Sequence, residues 1–223
     1  MNVTEAVRTR QSVRAFLDRP VPEAILRQVL ETAARAPSGG NLQPWRIYAV
    51  AGEPLARFKA AMQARLAADP ELDPLEYHVY PENLWDPHRG YRNRVGEAMY
   101  ARLGIPREDR AGRRAWFARN YAFFGAPAAI FAYLDRRMGP PQWSDMGMYL
   151  QTVMLLLREQ GLDSCPQECW SMYNATVRAL LEPPPELMLF CGMAIGYRDP
   201  DAAVNGLVTE RAPLEEFASF RGF

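Results

Sequence analysis

The feature that most constrains this chain is where its apolar residues run without interruption. The purest such run, residues 187–197, is eleven residues long. A membrane-spanning helix needs about 20 apolar residues, so this run reads as a buried strand instead. Residues 128–134 read as a second buried strand, and residues 46–50 as a third, closed by Gly52. Between them lie stretches of helical period. Within 145–160, Leu150, Val153, Met154 and Leu157 form one apolar stripe, with Gly161 as the stop. Behind Pro22, Ile25, Leu26, Val29 and Ala33 form another, and that helix must end before Pro37. Residues 4–10 read as a short helix capped by Thr4, and residues 53–67, 94–103 and 107–124 as further helical stretches. Residues 174–181 read as a helix stopped by Pro183-Pro184-Pro185. Helices and strands are mixed without the regular alternation of a doubly wound sheet, so an α+β architecture is expected. No repeat or linker divides the chain, and 1–223 is expected to be one domain. Residues 69–91 carry four prolines, several aromatics and no sustained period, which reads as an irregular covering segment. The tail from 198 to 223 reads as polar.

Composition narrows the function classes. The 26 basic and 26 acidic residues cancel, which argues against a nucleic-acid partner. Residues 1–10 are polar and lack the apolar core of a signal peptide, and no stretch is a membrane span. The three cysteines, Cys165, Cys169 and Cys191, are few and odd in number, as expected in a reducing cytoplasm. The two histidines, His78 and His88, have no ligand spacing to them, so no metal site is expected. Lys59 is the only lysine, and the other 25 basic residues are arginine. Codon bias in a G+C-rich genome accounts for such a skew. The sharper alternative is that some of these guanidiniums clamp a phosphate or carboxylate in bidentate fashion.

Several catalytic patterns are missing. No G-x-G dinucleotide fingerprint, Walker loop, G-x-S-x-G elbow or H-E-x-x-H helix occurs. If the chain is an enzyme, a bound organic cofactor is the expected source of its chemistry. Three segments carry the remaining signal. In Arg10-Gln11-Ser12-Val13-Arg14, an extended backbone would place Arg10, Ser12 and Arg14 on one side. That side suits a phosphate and an electron-rich ring, or else is a solvated edge. Ala36-Pro37-Ser38-Gly39-Gly40-Asn41-Leu42-Gln43-Pro44-Trp45 is a loop of small residues that would let a backbone approach a ligand, or else an ordinary turn. The third is Gly161-Leu162-Asp163-Ser164-Cys165-Pro166-Gln167-Glu168, followed by Gly196-Tyr197 and Arg211-Ala212-Pro213-Leu214.

In this order and spacing, the three segments resemble the nitroreductase family of FMN-dependent oxidoreductases, from about residue 4 to about 217. The A-P-S-x-x-N-x-Q-P-W stretch carries most of the likeness. Cys165-Pro166-Gln167-Glu168 and Asp199-Pro200-Asp201 are similar to the branch acting on nitroaromatic acids. The resemblance implies an intertwined homodimer with a mostly antiparallel central sheet wrapped by helices and FMN at the subunit interface. It implies that Arg10, Gln11 and Ser12 bind the cofactor, with Arg10 and Ser12 on the FMN phosphate together with Arg211, and that Arg14 reaches the N1/O2 edge of the flavin. Pro37, Ser38, Gly39 and Asn41 would contact the flavin of the other subunit. Pro166, Gln167 and Glu168 would lie along the ring, with a main-chain N–H near N5. NADH or NADPH would be the hydride donor, and a nitroaromatic or quinone the acceptor, in a ping-pong cycle. Reductive dehalogenation, ene reduction and turnover-free flavin binding remain open on the same scaffold. Departures from the family pattern are Gln11, Thr209 and Cys169. The excursion 69–124 would shape the substrate pocket with Tyr77, Tyr80, Trp85, Tyr91, Tyr100 and Trp116, or those rings are lid packing. Arg92 and Arg94 would hold a carboxylate-bearing substrate, or are solvated.

Overall fold

A computed structural model describes residues 1–69 and 71–223; Pro70, inside the expected irregular segment, lies outside the described residues. Four strands form the sheet: β1 (Arg46–Ala51), β2 (Ala128–Asp135), β3 (Asp163–Gln167) and β4 (Leu187–Gly196), in the order β1-β2-β4-β3. All three pairings are antiparallel, as the α+β reading requires. Around the sheet lie α1 (Val3–Thr9), α2 (Glu23–Ala33), α3 (Gly52–Ala68), α4 (His88–Arg102), α5 (Arg110–Ala118), α6 (Pro140–Glu159), α7 (Asn174–Leu181) and the single turn α8 (Leu214–Phe217).

The sheet is apolar on both faces because helices cover both. Along β2, Ala129, Phe131 and Tyr133 point into one core, and Ala128, Ile130, Ala132 and Leu134 into the other. In β4 this alternation changes phase. Leu187 and Leu189 face the first core, whereas Cys191, Met193 and Ile195 face the second. A bulge explains the switch, since Tyr133 pairs with Leu189 while Ala132 pairs with Cys191, leaving Phe190 as the extra residue. The first core centres on Trp170, which is fully buried and stacked on Phe123 at 4.6 Å. Its indole stands where a side chain on Gly192 would be: a Cβ there would lie 2.4 Å from Trp170 Cδ1. The second core is made by α2 and α6, through Leu26, Val29 and Ala33 against Tyr149, Val153 and Leu157.

Several boundaries differ from the sequence reading. Thr4 does not cap α1; Asn2 does, its Oδ1 accepting the Glu5 N–H at 2.8 Å. Helix α6 begins five residues early, because Pro140 and Pro141 occupy its first turn, where a missing N–H costs nothing. Helix α4 begins at His88, not 94. Residues 107–124 split into α5 and a 3-10 stretch, Arg119–Gly125, in which Phe123 and Phe124 take positive φ. Strand β3 went unforeseen: Asp163, Ser164 and Pro166 are poor strand formers, and Pro166 is tolerated because β3 is an edge. The tail is not uniformly polar, since Leu214, Phe217, Phe220 and Phe223 are exposed on it.

Candidate functional site

Helix α1 stops at Thr9, and Arg10 turns out of it with extended dihedrals (φ −63°, ψ 129°). The following residues run along the free edge of β3: Val13 N–H donates to Ser164 O at 3.0 Å, and Ser12 pairs with Ser164 in parallel. Val13 is fully buried. Alternation therefore turns Arg10, Ser12 and Arg14 the other way, toward the side of the buried Cys165 thiol. Burial pushes that thiol up from its ordinary value, with Arg14, Ser12 and Arg10 opposing the shift.

One residue of the tail fixes this segment. The Oδ1 of Asn205 accepts the Arg14 N–H at 2.8 Å, and its Nδ2 donates to Ala15 O at 2.8 Å and Asp199 O at 2.9 Å. The Gln11 amide donates to the Asn205 carbonyl, so the Gln11 side chain is committed to the tail. A further anchor is Asp163, 2% exposed, which accepts from Arg158 at 2.9 Å and is gripped by Arg198 at 2.8 Å and 3.0 Å.

The charges around this segment are not balanced locally. Arg10 is half-buried, and among the described residues its guanidinium has neither a hydrogen bond nor an ion pair. Its pKa is pushed down, first by burial and then by the like charge of Arg211. Arg211 bonds only its own loop, through Thr209 Oγ1 at 2.6 Å and Glu210 O at 2.7 Å. Arg14 donates to Ser12 O at 3.2 Å and has no carboxylate partner among the described residues. Arg10, Arg14 and Arg211 thus have no carboxylate partner among the described residues.

The loop after α2 is tightly tied. Asn41 N–H donates to Ser38 O at 2.9 Å, and Gln43 N–H to Ser38 Oγ at 3.0 Å. Gly40, Asn41 and Gln43 all take left-handed backbone, which disfavours the two side-chain-bearing residues and is imposed by these bonds. Gly39 N–H donates at 3.2 Å to Asp145, a carboxylate on α6 only 4% exposed. Trp45 stacks on Tyr149 at 4.9 Å and 15°. Pro37, Gly39, Gly40 and Asn41 remain exposed. No hydrogen bond or ion pair between described residues joins this loop to the segment 10–14 of the same chain.

Pro166 and Gln167 close β3, and Glu168 opens the 3-10 stretch Glu168–Tyr173. The Gln167 side chain turns into the core, donating to Asn120 O at 2.8 Å and accepting from the Trp170 indole at 3.4 Å. Only its main chain is left for a ligand. Burial pushes the Glu168 carboxyl up from the usual carboxylate range. Among the described residues no cluster of His, Cys, Asp or Glu suits a metal, and no helix is long and apolar enough to cross a membrane.

In the segment above this region, some aromatics pack and some do not. Tyr77 lies against Trp143 and Phe190, its hydroxyl donating to Phe190 O; burial pushes its pKa up. Trp116 is buried against Phe124, and Tyr100 lies under Arg113 at 4.2 Å. Tyr80 and Trp85 are exposed. Arg94 pairs with Glu210, whereas Arg92 lies over the Tyr80 ring at 4.6 Å with no acidic partner among the described residues. Sequence reasoning missed Asn205 as the hub and Asp145 as the anchor of the loop. The only available signal for Asn205 was an asparagine between Gly196-Tyr197 and Arg211.

The antiparallel sheet wrapped by helices is an α+β scaffold, and comparison with known proteins identifies it. The model of the nitroreductase family matches residues 7–197. The chain is 36% identical to the chloronitrobenzene nitroreductase of Comamonas testosteroni, over 98% of this chain and 96% of that one. It is 35% identical to the 4-nitrobenzoate reductase of Pseudomonas putida, over 97% and 94% respectively. A crystal structure of the FMN and NADPH-dependent nitroreductase NfnB from Sphigopyxis sp. strain HMH superposes with a TM-score of 0.96 at 52% identity, covering both chains completely. The chain belongs to the nitroreductase family.

Proposed function

We propose that this chain is an FMN-dependent oxidoreductase that takes hydride from NAD(P)H and passes two electrons to nitroaromatic or quinone-like acceptors. The observation that carries the reading is the half-buried Arg10 guanidinium, without an anion and beside a second arginine. Holding two cations together in a partly buried place is unfavourable unless an anion joins them, and a phosphate dianion fits that requirement. The relatives' activities and the FMN and NADPH dependence of NfnB point the same way.

On this reading Arg10, Ser12 and Arg211 hold the FMN phosphate. Arg14, pinned by Asn205, presents a cation to the ring edge where negative charge accumulates on reduction. Bound FMN supplies the hydride and electron transfer itself. Pro166, Gln167 and Glu168 line the ring through main-chain groups, which agrees with the Gln167 side chain being engaged elsewhere. Pro37, Ser38, Gly39 and Asn41 serve the flavin of a second copy, a role supported by the exposure of Pro37, Gly39 and Asn41 within one chain. Homodimerisation is further supported by apolar residues that one chain leaves in water: Val3 and Val7 on α1, and Phe217, Phe220 and Phe223 on the tail. The open edge strand β1, beside a groove of about 520 Å³ lined by Leu26, Leu30 and Ile47, offers a complementary surface. Of the expected excursion 69–124, residues 71–118 act as the lid over the substrate, since Tyr121, Phe123 and Phe124 belong to the first core, and three free cysteines suit the cytoplasm.

Purified protein is expected to be yellow and to bleach anaerobically with NADH or NADPH. Protein that stays colourless after incubation with FMN overturns the reading. Roles are separated by two variants. Arg10→Ala should lose FMN, whereas Arg14→Ala should keep it and be reduced more slowly. Equal behaviour contradicts the division.

A further inference from the structure

Away from the residues assigned to the flavin, the end of α3, helices α4 and α5 and the 3-10 stretches Arg119–Gly125 and Glu168–Tyr173 border a pocket of about 440 Å³. Small-molecule sites have volumes of about 300–1,000 Å³. Four rings line the pocket, Tyr100, Phe117, Tyr121 and Tyr173, together with two guanidiniums, Arg113 and Arg114. Tyr121 stands edge-on to Phe117 at 6.0 Å and to Tyr173 at 4.9 Å, so the walls offer both ring faces and ring edges. Two lining residues, Leu72 and Phe117, are 48% and 43% exposed, and apolar groups left in water around a concavity favour an apolar occupant. No carboxylate lines the pocket among the described residues. Arg113 is engaged: Glu97 accepts from it twice at 2.9 Å, and its guanidinium lies over the Tyr100 ring. Arg114 is exposed and has no hydrogen bond, ion pair or ring contact among the described residues. Aromatic walls beside one free planar fork are the complement of a ring that carries a carboxylate.

We propose that this pocket is a second binding site, for an arene carboxylate, separate from the place where reacting molecules meet the flavin. Arg114 takes the carboxylate, and the four rings hold the arene. None of the lining residues is used by the flavin reading, so bound FMN leaves the charge and the walls of the pocket as they are. Tyr121 marks the separation: its ring lines the pocket, while its hydroxyl donates to Cys169 O at 3.4 Å, one residue past Glu168. An aromatic acid has the required chemistry whether or not its substituents can be reduced, so a redox-inert probe suffices to test the site.

The test is calorimetric titration of FMN-loaded wild type, Arg114→Ala and Ala118→Trp with 2-naphthoate and with uncharged 2-naphthamide, while flavin absorption is followed in parallel. Arg114 is exposed and Ala118 lines the pocket half-buried, so both variants are expected to fold, and Arg114→Ala alone carries the test if the larger side chain disturbs folding. Wild type should bind 2-naphthoate in an event that leaves flavin absorption unchanged. Arg114→Ala should weaken that event about fivefold or more and leave 2-naphthamide as it was. Ala118→Trp, which fills the pocket, should remove binding of both. Absence of the flavin-silent event in wild type overturns the proposal, as does equal binding by wild type and variants. A changed KM for nitrobenzene in either variant also overturns it, because the pocket would then be the substrate site. So does a change of oligomeric state in Ala118→Trp by light scattering, because the pocket would then be an interface between copies. A chain that never takes up FMN fails the functional reading instead, and the same titration of the flavin-free protein still reads the pocket.

Discussion

The segment 10–14 and the segment 71–118 both border the proposed flavin site, yet they are built in opposite ways. The first is short, extended and locked by groups far away in sequence: Ser164 on β3, and Asn205, whose bond to Ala15 spans 190 residues. Its anchors, Asp163 and Asn205, are buried. The second is long and mostly exposed, and α4 contains no buried residue. Beyond Asp73 and Tyr77, which tie its start to Thr176 and Phe190, it is fastened by surface ion pairs, Arg94 to Glu210 and Arg113 to Glu97, and by cation–ring contacts. Hydrogen bonds to buried groups are costly to break, whereas exposed pairs contribute little. On the proposed reading, the cofactor would meet a rigid wall and the substrates an adaptable one.

The sharpest way to break this contrast is at Asp163. Asp163→Ala leaves Arg158 and Arg198 without their shared partner, and a loss of about 3–5 kcal/mol is expected, measured by chemical denaturation. A loss below about 1 kcal/mol would show that the wall does not depend on its buried anchor. Next comes Asn205→Ala, which removes three side-chain hydrogen bonds at once. About 2–3 kcal/mol should be lost, lowering Tm by roughly 5–10 °C, together with weaker FMN retention. Asp145→Ala leaves the Gly39 N–H without its acceptor, for about 1–2 kcal/mol, whereas Asp145→Asn keeps an acceptor and should be milder. In the lid the same kind of change should pass almost unnoticed. Glu97→Gln removes the Arg113 ion pair on the surface, and no measurable change in Tm is expected by calorimetry. A clear drop there would mean that the lid is as firmly built as the wall.

The same contrast explains what could be read in advance. Strands β2 and β4 and helices α2 and α6 bury one or both faces, and β1 half-buries Ile47, Tyr48 and Val50, so their apolar residues mark them. Strand β3 has no such pattern, because Asp163, Ser164 and Pro166 are tolerated only through its place at the sheet edge. Helix α4 lacks an apolar stripe, so its first turn looked irregular. The arginines of the candidate site were visible through their spacing in an extended segment. Asn205 and Asp145 were not, since each is a single polar residue whose role depends on contacts more than a hundred positions away. Tyr77 and Trp116, candidates for stacking on a substrate, are packing residues, and only a structure shows which way a ring faces.

The central claim is that Arg10 and its neighbours recognise a phosphate. The direct measurement is the affinity of the flavin-free protein for FMN and for riboflavin, which lacks the phosphate, by quenching of flavin fluorescence. Wild type should prefer FMN by at least about a hundredfold, and Arg10→Ala should lose most of that preference while binding riboflavin as before. An equal preference in both proteins would contradict the account.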